Sequence, residues 1–399
     1  MTHHMISISE AEDIIRQSVR PLPPRRMALS AVLGLTLAED VVAGCDIPAF
    51  PQSSMDGYAF AYPDWGGSRE LKISGVIPAG DRQPCRLTPG SAVRIFTGAA
   101  VPEGADTVVM QERVQAADGN LVISDGQLQP GSNVRPRGSE IRTGALALEA
   151  GTTLTPAAIG FLAGIGHAQV AVYPRPSISL IVTGNELQRP GGQLEYGQVY
   201  ESNSSALLAA LEQMHIRNVK VVQVNDDPDE LTVALHTALE ESDVTLLTGG
   251  ISVGDYDFVL QAAAACRVAP SFYKVRQKPG KPLFMGKREA KVVFGLPGNP
   301  SSVLTCFYMY VVPALGLLSK TRTDLRTVRA PLAGAHRKPA GLTHFLKGNF
   351  DGEQAYPLGA QESYRMHSFA RSNCLIRLDE DQTDLPEGTL VTVHLLPVC

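Results

Sequence analysis

Between Pro176 and about Leu318 the chain alternates between two periodicities, and that alternation restricts its fold more than any other feature. Residues 179–182, 219–224, 244–247 and 291–294 are short apolar runs rich in Val, Ile and Leu, while 204–214 and 228–241 carry apolar residues at helical spacing. Short strands separated by helices of roughly 10–15 residues form βαβ units, whose sheet is parallel and covered on both faces. The segment therefore predicts an α/β domain built on a doubly wound, mostly parallel sheet. The most apolar stretch, 303–318, is interrupted by Thr305 and Pro313 and falls short of the ~20 residues of a membrane span. It reads as a buried helix.

In such a sheet, ligands bind at the carboxyl ends of the strands, where loops and helix N-termini converge. The polar, Gly-rich segments fall at those ends: Thr183-Gly184-Asn185-Glu186, Asn225-Asp226-Asp227-Pro228, Thr248-Gly249-Gly250-Ile251-Ser252-Val253-Gly254-Asp255-Tyr256-Asp257 and Gly295-Leu296-Pro297-Gly298-Asn299-Pro300-Ser301-Ser302. Gly249 and Gly250 allow backbone N–H groups to turn toward a phosphate. Asn299 before Pro300 suits the N-cap and first position of a helix running through Tyr310, leaving free N–H groups and a positive dipole end for an anion. Any one of these loops alone is ordinary βα-turn chemistry. Four on one sheet edge make a site.

Lys274, Arg276, Lys278 and Lys281 lie within eight positions of one another. In a chain with 35 Lys+Arg against 40 Asp+Glu, so compact a cluster suits a phosphate or oxyanion clamp, with Lys as point charges and Arg bidentate. The competing reading is a solvated edge strand protected by lysines. Pro279-Gly280 bends the chain so that Lys278 and Lys281 project from one turn. Glu186, Asp226, Asp227, Asp255 and Asp257 lie near the same edge. Magnesium reconciles acids with phosphate by taking one or two carboxylates, waters and phosphate oxygens. Asp226 or Asp227 also reads as the cap of the helix opening at Pro228, whereas Glu186 and Asp257 read as metal or water-positioning groups.

Elsewhere the pattern is plainer. Residues 10–19 and 156–164 have helical character, and a second short helix is expected around 29–37. Runs 70–76, 91–96 and 107–111 alternate with Gly/Pro turns, which predicts a small β-domain. The tail from 326 reads as short strands. At 399 residues the chain exceeds the ~250–300 at which single cores stop growing, so several domains are expected. A net charge of −5 argues against a nucleic-acid binder. No secretory signal is legible, and the six cysteines include no Cys-x-x-Cys pair, so neither zinc nor a disulfide framework is expected and the cytoplasm is the default.

Several of these segments, together with Ser54-Met55-Asp56-Gly57-Tyr58-Ala59, Thr97 to Asp106 and Arg137-Gly138, resemble the signature stretches of the molybdopterin molybdenumtransferases, MoeA in bacteria and the E domain of gephyrin in animals. The MDGYA, TGG-x-S-x-G-D and GLPGNP elements occur in family order across nearly the whole chain. The resemblance implies a linker domain at 1–48 and 145–174, an inserted β-domain at 49–144, a MogA-like α/β molybdopterin-binding domain at 175–325 and a β-barrel-like C-terminal domain at 326–399. It implies a homodimer whose site is shared between subunits, contact with the adenylyltransferase and with recipient molybdoenzymes, and no nucleic acid or membrane.

The family's reaction hydrolyses adenylylated molybdopterin and inserts molybdate with magnesium, releasing AMP. By motif position the resemblance gives catalytic roles to Asp56, Thr97, Glu186 and Asp257, the last two also on magnesium. Substrate contacts fall to Asp226, Thr248, Gly249, Gly250, Ser252, Asp255, Lys274, Lys278, Lys281, Gly298, Asn299, Ser301, Arg365 and Ser368. This sequence departs from the family pattern at Ser139-Glu140, where Glu-Asp is common, and at Asn185, where Asp is common. The adenylyltransferase shares the α/β domain but is normally a single small domain. A scaffold would not need the lysines and acids. Neither Gly-x-Gly-x-x-Gly after a strand nor Gly-x₄-Gly-Lys-Ser/Thr is present, which argues against dinucleotide and P-loop enzymes.

Overall fold

A computed structural model describes residues 5–251 and 258–397 of the chain. They form two compact units, Arg26–Val172 and a second that joins the N-terminal segment through Arg25 to Tyr173 and everything after it. The described residues through Arg25 thus pack with the α/β segment, where the domain division expected from sequence grouped them with 26–48.

The α/β sheet contains β1 (Ile178–Thr183), β2 (Val219–Val224), β3 (Val244–Thr248), β4 (Ala269–Tyr273), β5 (Phe284–Arg288) and β6 (Lys291–Leu296) in the order β2-β1-β3-β6-β5-β4. β2, β1, β3 and β6 run parallel, while β5 is antiparallel to β6 and β4. Helices α1 (Asn203–Gln213) and α2 (Pro228–Glu241) make the β1-to-β2 and β2-to-β3 crossovers. α3 (Phe258–Ala265) lies between β3 and β4. The chain leaves β1 for β2 on one side and returns to β3 on the other, so the strand order reverses between β1 and β3. That reversal opens the crevice where ligands lodge in α/β sheets.

The alternation of the strands explains the layering. Leu180, Leu246 and Phe294 enter one core with α1 and the helices after β6. Ile181, Leu247 and Val293 enter the other with Leu231, Leu235 and Val259 of α2 and α3. Each fully buried aliphatic side chain contributes about 1.5–3 kcal/mol. The edge strand β2 is an exception to the expected double cover, since Val221 and Val222 are 44% and 42% exposed.

The buried helix expected over 303–318 is present, running from Pro300 through Tyr310 to Ser319 and mostly buried. It runs as Pro300–Cys306, a π-helical turn at Phe307–Val311, and Val312–Ser319. Pro313 cannot donate to the carbonyl four residues back, and the widened turn just before it relieves the clash of its ring. After it, a six-stranded sheet runs Gln277–Lys278, Thr343–Phe350, Cys374–Leu378, Leu390–Leu395, Thr327–Pro331, with Ala355–Pro357 against Thr343–Phe350. Its outer strand, Gln277–Lys278, is lent by the α/β segment.

In Arg26–Val172, Gly57–Phe60 lies between Thr107–Met110 and Ser91–Ile95 in a six-stranded sheet with its own core. A second core gathers Leu35, Leu37, Leu162 and Val172 around helix Pro156–Gly164. The short helix expected around 29–37 is not formed. Leu29–Ala31 is a single 3₁₀ turn and Thr36–Leu37 a strand, because Gly34 takes φ 73° and its left-handed backbone breaks the helical path.

Candidate active site

The strand-end loops meet at the reversal between β1 and β3. Thr183, the last residue of β1, donates its hydroxyl to Asp226 Oδ1 at 2.5 Å. Asn185 completes the lock, its Oδ1 accepting the Asp226 N–H at 3.0 Å, so the departure at 185 retains an acceptor where the pattern has Asp. Asp227 caps α2, accepting from the N–H groups of Asp229 and Glu230 at 2.9 Å; of the two acids, it is the cap. Glu186 is exposed at the same edge.

Across the crevice, Gly249 and Gly250 have φ 85° and 64°. A Cβ on Gly249 would lie 2.2 Å from the Thr183 carbonyl oxygen, so only glycine lets β1 and the loop after β3 approach this closely. A Cβ on Gly298 would sit 3.9 Å from the Gly249 Cα, which places the loop after β6 against the same turn. Thr248 is 1% exposed. The other expected residues of this loop, Ser252, Asp255 and Asp257, lie outside the described residues.

The start of the following helix is occupied differently from expectation. Asn299 holds the N-cap position without a capping hydrogen bond, and its Nδ2 donates to Ser363 Oγ at 2.9 Å. The Ser301 N–H, expected to be free for an anion, donates to the Ser363 carbonyl at 3.0 Å. A loop of the C-terminal segment thus satisfies one of the helix's unbonded donors. Ser301 and Ser368 are 1% and 4% exposed; their hydroxyls donate to the carbonyls of Arg365 and Ala360 at 2.9 and 2.7 Å. Both serines hold that loop in shape. Arg365 is half-exposed, paired with Glu362 at 3.1 Å.

Of the expected clamp, Lys278 and Lys281 are exposed on either side of Gly280, where a Cβ would come within 2.5 Å of Cys306 Sγ. Their turn is therefore seated on the helix that opens at Pro300. Lys274, at the end of β4, has φ 69° and places its ammonium 4.9 Å from the Tyr273 ring centroid. With strands spaced about 4.8 Å apart, β4 stands three steps, on the order of 14 Å, from β3. Arg276 leaves the clamp: it pairs with Glu380 at 3.0 Å and donates to the Met5 carbonyl.

In Arg26–Val172, the structure brings Asp56 and Thr97 together. Asp56 Oδ1 accepts both the N–H and the hydroxyl of Thr97, at 2.7 and 2.8 Å. These two donors, reinforced by Arg94, hold the Asp56 carboxyl below its ordinary range. Gly57 is required beside it, since a Cβ there would stand 1.8 Å from the Val109 carbonyl oxygen. A cavity of about 670 Å³ lined by Glu12, Arg16, Tyr308, Lys320 and His394 among others contains none of these residues.

Three family models match end to end: the MoeA N-terminal region (domains I and II) at residues 6–166, a probable molybdopterin-binding domain at 179–316, and the MoeA C-terminal region (domain IV) at 329–396. A Haemophilus influenzae protein named molybdopterin molybdenumtransferase is 32% identical over 98% of this chain and 100% of its own length. This chain belongs to the MoeA family, the molybdopterin molybdenumtransferases. A Nostoc relative of the same name is 33% identical over 99% of this chain and 94% of itself. The Pyrococcus horikoshii molybdopterin biosynthesis MoeA protein superposes with a TM-score of 0.81 at 28% identity, covering 99% of this chain and 100% of its own.

Within this MoeA chain, sequence reasoning missed three supporting residues. Arg94 stacks over the rings of Tyr58 and Phe96 at 5.3 and 4.8 Å and donates to the Gly57 carbonyl, bracing the Asp56 turn. Asp46 repeats the Asp56 arrangement, accepting the N–H and hydroxyl of Thr143 and pairing with Arg137 at 2.6 Å; the neighbouring Glu140 is exposed. Lys347 is 2% exposed, and its ammonium donates to the carbonyls of Ala360, Glu362 and Arg365, with burial pushing its pKa down. It is the knot of the loop that reaches Ser301. A lone Lys in an apolar strand pattern, as in Thr343–Phe350, was the available signal.

Proposed function

We propose that the chain catalyses the last common step of molybdenum cofactor biosynthesis, taking adenylylated molybdopterin and molybdate and releasing AMP. The observation that carries this reading is the convergence of Thr183, Asp226, Gly249 and Gly298 on one strand-order reversal, with Lys278 and Lys281 exposed on the turn seated on the helix that follows Gly298. Pyrophosphate and molybdate are both compact anions, and exposed lysines together with backbone N–H groups suit both. Catalysis of phosphoryl cleavage is mostly placement and charge neutralisation. In this reading the lysines hold the anions, Gly249 gives the substrate close access to backbone, and Asp226 is aimed by Thr183 and Asn185.

Magnesium, when bound, would supply further positive charge at the phosphate oxygens. Among the described residues no group of three His, Cys, Asp or Glu could hold a metal. Magnesium needs only one or two protein carboxylates, and exposed Glu186 meets that demand, with Asp257 as its expected companion. The resemblance extends the reading to a cytoplasmic homodimer with the site shared between protomers and with the four-domain division given above, save that the segment through Arg25 packs with the α/β segment.

The test is turnover: purified chain, adenylylated molybdopterin, magnesium and molybdate should release AMP, read by chromatography. Asp257→Asn should suppress release by at least tenfold while leaving the protein folded; undiminished release would remove Asp257 from the mechanism. Lys278→Ala should raise the molybdate concentration needed for half-maximal release. An unchanged requirement would return Lys278 to the role of a solvated edge residue.

A further inference from the structure

Buried polar atoms in folded proteins almost always have partners, so each exception needs an explanation. Among the described residues, three buried side-chain polar atoms lack one: Asn203 Oδ1, Thr248 Oγ1 and His394 Nε2. Two of the three belong to the crevice. Asn203 is the first residue of α1, and its Nδ2 donates to the Gly298 carbonyl at 2.9 Å. Gly298 rests on Gly249, and Thr248 precedes Gly249 in the chain.

The orientation of the amide follows from its partner. A carbonyl oxygen only accepts, so the atom facing Gly298 is nitrogen and the unpartnered atom is oxygen. Nor is Asn203 needed to start its own helix. Buried Glu201 does that, accepting from the Ser204 N–H at 2.8 Å and from its hydroxyl. What remains is an acceptor at the wall of a crevice whose other contacts suit anions. An acceptor repels phosphate and molybdate oxygens. An amide oxygen is an uncharged acceptor, and a ligand N–H is the complement that suits it.

We propose that Asn203 marks a neutral recognition subsite, in which its side-chain oxygen accepts a hydrogen bond from the amino edge of a heterocycle. The inference rests on the reading that the substrate carries such rings. It deepens that reading by separating a ring-binding end of the crevice from its anion-binding end. Adenine and pterin both present an amino edge, and the experiment decides between them.

Binding of AMP, 6-hydroxymethylpterin and inorganic pyrophosphate to the full-length chain is measured by calorimetry for wild type, Asn203→Ala and Asn203→Asp. Both variants lose the Gly298 contact, but only the Asp variant keeps an acceptor. One lost hydrogen bond corresponds to roughly tenfold in affinity. One heterocycle should therefore bind about tenfold more weakly to Asn203→Ala, recover most of that loss in Asn203→Asp, and leave pyrophosphate binding to Asn203→Ala unchanged. The wild-type chain supplies a check that no folding defect can imitate: the deamino analogue of that heterocycle should bind about tenfold more weakly than its parent. Equal losses for ring and pyrophosphate, equal weakness of the two variants, an unaffected deamino analogue, or no heterocycle binding by wild type would each overturn the subsite. AMP release in the turnover assay stands or falls independently of these results.

Discussion

The Asp56–Thr97 pair shows how a short motif becomes a tuned group. Two donors from one threonine converge on one carboxylate oxygen, and both favour the charged form, so Asp56 stays ionised at lower pH than an ordinary aspartate. Thr97→Val removes the hydroxyl and keeps the N–H. The Asp56 pKa, followed by NMR titration of its carboxyl carbon, should then rise toward the ordinary value while remaining below it. No movement would mean that the backbone N–H alone sets it. The residues around this pair were legible to different degrees. Asp, Gly and Thr stood out by type, but Arg94 did not, since nothing in a strand sequence says that an arginine will fold back over two rings.

At the scale of elements, alternation in the sequence located β1, β2, β3 and β6 because their apolar runs are continuous, as burial on both faces demands. β4 and β5 escaped notice for the opposite reason: Ala269–Tyr273 contains Pro and Ser, and Phe284–Arg288 ends in charges, so neither shows a clean run. The site was legible where glycine is sterically required, at Gly249, and illegible where a distant loop intervenes, as Ser363 does at the helix start. The C-terminal sheet adds a dependence on acidity. Burial pushes His344 on Thr343–Phe350 and His394 on Leu390–Leu395 down to about 4. Both are neutral in the fold, whereas an unfolded chain would take up their protons near pH 6.5. Their contribution to stability is full above pH 6.5 and declines as pH falls from there toward 4. Urea midpoints should accordingly drop between pH 7 and 5, and His394→Phe, beside the Phe345 ring, should flatten that slope. A slope unchanged by the variant would place the acid sensitivity elsewhere.

For the whole molecule, the proposed sharing of the site between protomers has a direct consequence in mixing experiments. If Asp56 of one protomer serves the strand-end loops of the other, an Asp56→Asn protein mixed and refolded with the suppressed Asp257→Asn protein should regain part of the AMP-release activity, because some heterodimers hold one intact site. Recovery no better than the sum of the two parents would mean that each protomer works alone. That the N-terminal segment through Arg25 packs with a unit beginning at Tyr173 was invisible to local reading, since neither stretch announces its partner.

Because Gln277–Lys278 forms the outermost strand of a sheet otherwise made from residues beyond 326, the boundary near residue 326 is not a place where the chain can be divided. Severed there, the tail would present the bare backbone of Thr343 and His344 to solvent, an invitation to association with other copies. The lysine turn, meanwhile, would lose the ladder that fixes its register. Evolution can exchange such a tail only together with the dipeptide that borders it.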